Sequence, residues 1–270
     1  MTPSSHQGST SPSTLLARWL VDELVARGVT HAVLCPGSRN APLSFALLAE
    51  ERITLHTRID ERTAAFLALG LAKGSRRPAA VVTTSGTAAA NLHPAVLEAA
   101  HAGVRLVAIT ADRPARHRGT GANQTTDQVA LFGDAAGFVD LTAPAVDALD
   151  AAWLPDGPVH LNCQFDDPLL PEGEGGLSGR PDPTHVGPER AADPSGRHNP
   201  TFVGSGDPPT LPTHPLRPGP RTVVIAGDDA GPPARTLAEY AGWPLLAEPS
   251  CGSRTGANPI RTYRLLLGTE

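Results

Sequence analysis

AAVVTTSGTAAANLHPAVLEA, residues 79–99, reads as a strand, a turn and a helix in succession. AAVVTT (79–84) lacks the polar alternation of a half-exposed strand, so it predicts a strand buried on both faces, as in a parallel sheet. SGT (85–87) breaks the run, and the Ala-rich stretch 88–100 reads as a helix. The same unit repeats in both directions. Upstream, residues 13–27 place Leu16, Leu20 and Leu24 on one helical face, and Gly28 stops the helix. HAVLC (31–35) is a strand, 41–50 a helix, ITLHT (53–57) a strand and 60–73 a helix. Downstream, VRLVAIT (104–110) is a strand that enters a long polar loop reaching about 125. GFVDL (137–141), a helix near 144–153, and PVHLNC (158–163) complete the set. Six short apolar strands alternating with helices predict βαβ units around a mainly parallel sheet, an α/β domain with helices on both faces over 12–165.

Proline and glycine divide the rest of the chain. They number 28 and 27, and more than half of the prolines fall between Pro155 and Pro220. Residues 166–220 therefore read as a Pro/Gly-rich linker. After it the pattern restarts: a strand in 221–229, a helix over 231–241, a strand in 243–248 and a helix over 259–267. Two strands and two helices are too few to cover both faces of a sheet, so 221–270 is expected to be the start of a truncated second α/β domain.

Composition excludes several classes. The 270 residues carry a net charge of −5, without the clustered positive footprint of a nucleic-acid binder. No stretch approaches the ~20 apolar residues of a transmembrane segment, and the N-terminus has no leader-like core, which points to the cytoplasm. Cys35, Cys163 and Cys251 form no CxxC pair and are expected to be free thiols in a reducing compartment. Ten histidines form no HExxH or HxH pair, so no metal ligands are assigned in this chain.

Open α/β sheets bind ligands beyond the carboxyl ends of their strands, and four loops qualify. CPGSRN (35–40) puts Ser38 and Arg39 between a strand and a helix; Arg39 offers a fork for a carboxylate or phosphate, or the run is a capped turn. In TRIDER (57–62), Asp60 is a cap and Glu61 lies in the first helical turn. Glu61 is either favourable charge at a helix start or a carboxylate able to hold or share a proton. Thr84, Ser85 and Gly86 form a turn entering a helix, whose amides suit an anion. The longest loop carries Arg113, Arg116 and Arg118, a positive cluster that suits a small anionic ligand, with Asn123 and Gln124 as directional donors, or it is an ordinary solvated loop.

Four runs carry a resemblance: CPGSRNAPL (35–43), HTRIDERTAAFLALGLAKG (56–74), TTSGTAAANLHPAVLEA (83–99) and ITADRPARHRGTGANQTTDQ (109–128). Together they resemble the thiamine-diphosphate-dependent 2-succinyl-5-enolpyruvyl-6-hydroxy-3-cyclohexene-1-carboxylate synthase family. The likeness is strongest over 12–165 and continues in VVIAGDDAGPPA (223–234) and GWPLLAEPSCGSRTG (242–256). It implies a three-layer pyrimidine-binding domain, then an incomplete middle domain, in a homodimer or homotetramer. It further implies a transferase that decarboxylates 2-oxoglutarate and adds the succinyl-semialdehyde unit to isochorismate, in menaquinone biosynthesis. Glu61 matches the family's catalytic glutamate, which hydrogen-bonds the aminopyrimidine ring nitrogen and promotes its imino tautomer. Ser38, Arg39, Arg113, Asn123 and Gln124 match substrate-binding positions, and Thr84, Ser85 and Gly86 would contact the pyrimidine. The diphosphate and its Mg²⁺ or Mn²⁺ would be held beyond Glu270, so the 270-residue chain is expected to be inactive alone. Two other readings stand beside this one: a non-catalytic module for a small anionic metabolite, and another thiamine-diphosphate-dependent oxo-acid decarboxylase.

Overall fold

The computed structural model describes residues 11–154, 156–170, 222–260, 262, 263 and 267. Two compact units divide the chain, Met1–Pro183 and Thr184–Glu270. The expected linker over 166–220 lies almost wholly outside the described residues.

The first unit opens on α1 (Pro12–Ala26). The Ser11 hydroxyl accepts from the Thr14 amide at 3.2 Å, and Pro12 takes a first-turn position, where no amide donor is required. Leu16, Leu20 and Leu24 recur every fourth residue and are buried. Gly28, at φ 83°, adopts the left-handed backbone that ends the helix cheaply only for glycine. Then come β1 (His31–Leu34), α2 (Ala41–Ala49), β2 (Thr54–Thr57), α3 (Glu61–Ser75), β3 (Ala79–Thr83), α4 (Thr87–Ala90) and α5 (His93–His101). After them run β4 (Leu106–Asp112), β5 (Gly137–Leu141), α6 (Val146–Ala152) and β6 (Val159–Gln164). The six strands are all parallel, in the order β2-β1-β3-β4-β6-β5.

Strand alternation sorts the core into two layers. Ala80, Val82, Val107 and Ile109 point to one face, where they join Leu16, Leu20, Leu43 and Leu149 from α1, α2 and α6. Ala79, Val81, Leu106 and Ala108 point to the other, against Ala64, Ala65, Ala68 and Val96 from α3 and α5. The alanine face of α3 lets that helix lie close to β1 and β3. Full burial of each leucine contributes about 1.5–3 kcal/mol, so the two layers together hold the sheet between its helices. The predicted α/β sheet with helices on both faces is what forms.

Two boundaries differ from the sequence reading. The single helix expected over 88–100 is two, α4 and α5, because Pro94 lacks an amide donor and its ring excludes the Ala90 carbonyl from a continuous helix. Strand β4 starts and ends two residues later than the expected 104–110, since Ala111 and Asp112 continue the ladder opposite Cys163 and Gln164.

The second unit contains β7 (Val224–Ala226), α7 (Gly231–Ala241) and β8 (Leu245–Ala247), with β7 and β8 parallel. Its core is Ala226, Ala238, Leu245, Ala247 and Cys251. Asn258 donates to the carbonyls of Ala238 and Trp243 at 3.0 and 2.8 Å, tying the segment after β8 to the end of α7. The helix expected over 259–267 does not begin where predicted: Pro259 bridges Leu245 in parallel fashion, and most residues from 261 onward lie outside the described ones.

Candidate active site

A parallel sheet brings every strand's carboxyl end to one edge, and the four loops singled out in the sequence all leave that edge. Cys35 comes directly after β1 and is buried. Asn40, fully buried, donates through Nδ2 to the Cys35 carbonyl at 2.8 Å and so folds the CPGSRN loop back on its strand. Gly37 packs against Thr84: a Cβ here would collide with the threonine side chain, so only glycine fits. The first and third loops are thus in direct contact. Ser38 lies exposed between them and α2.

Glu61 is the first residue of α3, capped by Asp60, whose carboxylate accepts from the Thr63 amide at 2.7 Å. The Glu61 side chain is half-buried and makes no side-chain hydrogen bond or ion pair among the described residues. Its neighbourhood shows in Cys35: burial, then the charges of Glu61 and Asp60, push that thiol up to about 12. Glu61 therefore lies on the same sheet edge as Ser38, Thr84 and Arg113.

The third and fourth loops interlock. The Ser85 hydroxyl donates to the Gln124 carbonyl at 2.7 Å, and Arg113 Nη1 donates to the Ser85 Oγ at 3.2 Å. Gly86 has φ 80°, and a Cβ on it would meet the Gln124 carbonyl oxygen at 2.9 Å. Asn123 and Gln124 expose their side chains, Gln124 with a left-handed φ of 54°.

The arginines differ from the expected free cluster. Arg116 pairs with Asp166 at 2.7 Å. Arg118 bridges Asp112 and Asp140 at 2.9 and 2.8 Å. Both are engaged because carboxylates from neighbouring strands and loops reach them. Arg39 is partly engaged: Nη1 donates to the Phe165 carbonyl at 3.0 Å and lies 4.0 Å from Asp167, while its buried Nε has no partner. A cavity of about 470 Å³ opens beside Asp112, Arg113, His117, Arg118 and Thr125.

A buried polar network underlies this edge, and the sequence reading missed it. Thr110 and Asp112 on β4, Asp140 on β5, and His160 and Asn162 on β6 share one sheet face. Asn162 Nδ2 donates to Asp112 and Asp140, and its Oδ1 accepts from Thr110 and from Gln128. Since the Thr110 hydroxyl donates to Asn162, it accepts from His160, which places the ring proton on Nε2 at 2.8 Å. Burial pushes the His160 imidazole down to about 4 against the opposing pull of Asp140. Burial alone would raise the Asp140 carboxyl, but hydrogen bonds from Arg118, Asn162 and Gln164 outweigh it and hold it below the usual carboxylate range. The available signal was polar residues at alternate positions of an apolar strand, His160 and Asn162 between Val159, Leu161 and Cys163.

Residues 15–131 match the family described as thiamine pyrophosphate enzyme, N-terminal TPP binding domain. That span takes in β1 to β4 and all four loops through Gln128. Among curated proteins the chain is similar to 2-succinyl-5-enolpyruvyl-6-hydroxy-3-cyclohexene-1-carboxylate synthases. That of Nocardioides sp. (strain ATCC BAA-499 / JS614) is 57% identical over 94% of this chain and 43% of its own length. That of Kineococcus radiotolerans is 48% identical over 95% and 47%, and that of Thermobifida fusca 46% identical over 95% and 48%. The chain thus spans less than half the length of these relatives.

Proposed function

We propose that this chain forms the pyrimidine-binding side of a thiamine-diphosphate site in a 2-succinyl-5-enolpyruvyl-6-hydroxy-3-cyclohexene-1-carboxylate synthase, a transferase of menaquinone biosynthesis. The reaction releases carbon dioxide from 2-oxoglutarate and joins the remaining succinyl-semialdehyde unit to isochorismate. The observation that carries the reading is Glu61. It is a carboxylate without a side-chain partner among the described residues, at the start of α3, on the edge that also holds the Thr84–Gly86 turn and the 113–128 loop.

The residues fit an aminopyrimidine ring. A half-buried carboxylate can share a proton with a ring nitrogen, and the Ser85–Gly86 turn is held on the same edge by Gln124 and Gln128. Bound thiamine diphosphate supplies the carbanion-stabilising chemistry that decarboxylation of a 2-oxo acid requires. Glu61 holds the proton at the ring nitrogen, and Thr84, Ser85 and Gly86 line the pyrimidine side. Ser38, Arg39, Arg113, Asn123 and Gln124 take the substrates, both of which carry carboxylates; Arg39 Nε, buried without a partner, is a donor suited to one of them. The diphosphate and its Mg²⁺ or Mn²⁺ are held by residues outside these 270, in a homodimer or homotetramer. Three buried free thiols suit a reducing cytoplasm. The named relatives favour this reading over a non-catalytic module or a different oxo-acid decarboxylase.

The test uses thiamine itself, which has the pyrimidine but no diphosphate. Titrated into the ¹⁵N-labelled chain at millimolar concentration, thiamine and thiamine diphosphate are expected to shift the same amides around Glu61 and Thr84–Gly86. Glu61→Gln is expected to abolish those shifts. In the complete synthase the same change is expected to cut turnover of 2-oxoglutarate with isochorismate by about 10²-fold or more. Absence of any thiamine-induced shift in the parent, or near-parent turnover in the variant, refutes the reading.

A further inference from the structure

Gln128 is fully buried, although it sits in the polar loop between β4 and β5. Its carboxamide reaches three separate elements. Oε1 accepts from the Gly86 amide at 2.9 Å; Nε2 donates to the Ala111 carbonyl at 3.2 Å and to Asn162 Oδ1 at 3.0 Å. Only a side chain with an acceptor and two donors at one tip fills this place, which restricts it to an amide. The turn after β3, the end of β4 and the middle of β6 are thereby joined through one group. Asn162 in turn is fixed by Asp112 and Asp140, which Arg118 bridges.

The consequence lies at Gly86. Its amide is held from below by Gln128, while from the other side the Gln124 carbonyl accepts from Ser85 and packs where a Cβ on Gly86 would be. Gln124 and Gln128 are one loop, so the same loop grips the turn twice. We propose that Gln128 is a positioning residue that sets the Ser85–Gly86 turn against Gln124, and so aligns the groups meeting the pyrimidine with those meeting the substrates. The last clause rests on the function proposed above; the positioning itself does not.

Gln128→Glu separates this role from mere packing. Its protonated carboxyl keeps the acceptor for Gly86 and one donor. Its ionised form has no donor and turns charge toward the Ala111 carbonyl and Asn162 Oδ1, beside Asp112 and Asp140. Arg118, and His160 through Thr110, are the other ionisable groups of the network. Burial among acceptors raises such a carboxyl, so the native arrangement is expected at low pH and lost as pH rises through its pKa.

The measurement is the Gly86 and Gln124 amide resonances of the 270-residue chain from roughly pH 5 to 9, the span over which buried carboxyls titrate. The variant is expected to match the parent at low pH and to show both resonances moving together as pH rises, while α1 resonances stay fixed. Thiamine affinity is expected to fall by about tenfold over the same step, the effect of one buried hydrogen bond. Gln128→Met is expected to hold the shifted state at every pH. In the unaltered chain the Gly86 amide is expected to exchange slowly with solvent; fast exchange overturns the inference without any variant. It is also overturned if Gly86 and Gln124 do not move in Gln128→Glu, or move with thiamine affinity unchanged. A parent chain that ignores thiamine sinks the proposed function, and the joint movement of the two amides still decides the positioning role.

Discussion

Cys35 and Glu61 lie within electrostatic reach of each other at the carboxyl edge of the sheet, and the carboxylate opposes ionisation of the thiol. Burial is the larger cause and the charges of Glu61 and Asp60 add to it. The thiol is therefore a built-in reporter for the carboxylate. Glu61→Gln removes one opposing charge and is expected to lower the Cys35 pKa, while burial keeps it above that of an exposed thiol. Alkylation of Cys35 at alkaline pH is expected to accelerate, since the thiolate is the reacting form. An unchanged rate would mean that the Glu61 carboxylate is not directed at this edge.

Arg118 is the only cation bonded to Asp112 and Asp140 among the described residues, and Asp112 is 1% exposed. Arg118→Met leaves two adjacent carboxylates without their counter-charge. The expected cost at neutral pH is about 2–4 kcal/mol, toward or below the low end of the roughly 3–5 kcal/mol for breaking a fully buried pair, because Arg118 and Asp140 are partly exposed. With the arginine gone, Asp140 loses the first of the hydrogen bonds that hold its carboxyl low, and burial pushes it up in the folded state. The variant is then expected to gain stability relative to the parent as pH falls, and Asp140→Asn to recover part of the loss at neutral pH. Urea unfolding at two pH values checks both signs.

The sheet was legible because its signal is local and redundant. A run such as AAVVTT can be buried only if both faces are covered, and six runs of that kind between helices leave few arrangements. The loops were legible for the same reason, since each begins where an apolar strand stops. The charge pairing was not. Arg118 reads like Arg113 in the sequence, six or fewer residues away from the same aspartate, and only the β4–β6–β5 neighbours bring Asp140 to it. Gln128 was passed over because nothing local marks a glutamine in a polar loop as buried. Its partners Gly86 and Asn162 are 42 and 34 residues away along the chain.

Arg39 offers a test of substrate contact apart from cofactor contact. One nitrogen is committed to the Phe165 carbonyl at 3.0 Å, while Nε is buried and without a partner. Lysine cannot supply both directions from a single ammonium. Under the function proposed above, Arg39→Lys in the full-length protein is expected to raise KM for a carboxylate substrate by about tenfold, with thiamine diphosphate affinity changed by about twofold or less. Varying the two proposed substrates, 2-oxoglutarate and isochorismate, separately identifies which of them it serves. Unchanged KM values for both, or a loss confined to the cofactor, would remove Arg39 from the substrate side.

His160 makes the fold sensitive to mild acid. It lies between Phe132 and Phe138, with ring centroids 4.6 and 5.2 Å away, and its Nδ1 is buried without a partner. Its folded-state pKa is about 4, against 6.5 for the free side chain. Between those values the unfolded chain binds the proton and the folded chain does not. Stability contributed by the neutral ring is therefore complete above about pH 6.5 and is lost as pH falls toward 4. The full difference amounts to about 3 kcal/mol at most. Asp140, whose carboxyl is held low, adds a loss in the same direction at still lower pH. His160→Gln is expected to flatten the upper part of this dependence, leaving the Asp140 part in place. Denaturant unfolding from pH 7 to 4 reads it directly. A parent whose stability does not change across that window would mean that His160 is protonated in the folded chain, contradicting the hydrogen-bond order from Nε2 through Thr110 to Asn162.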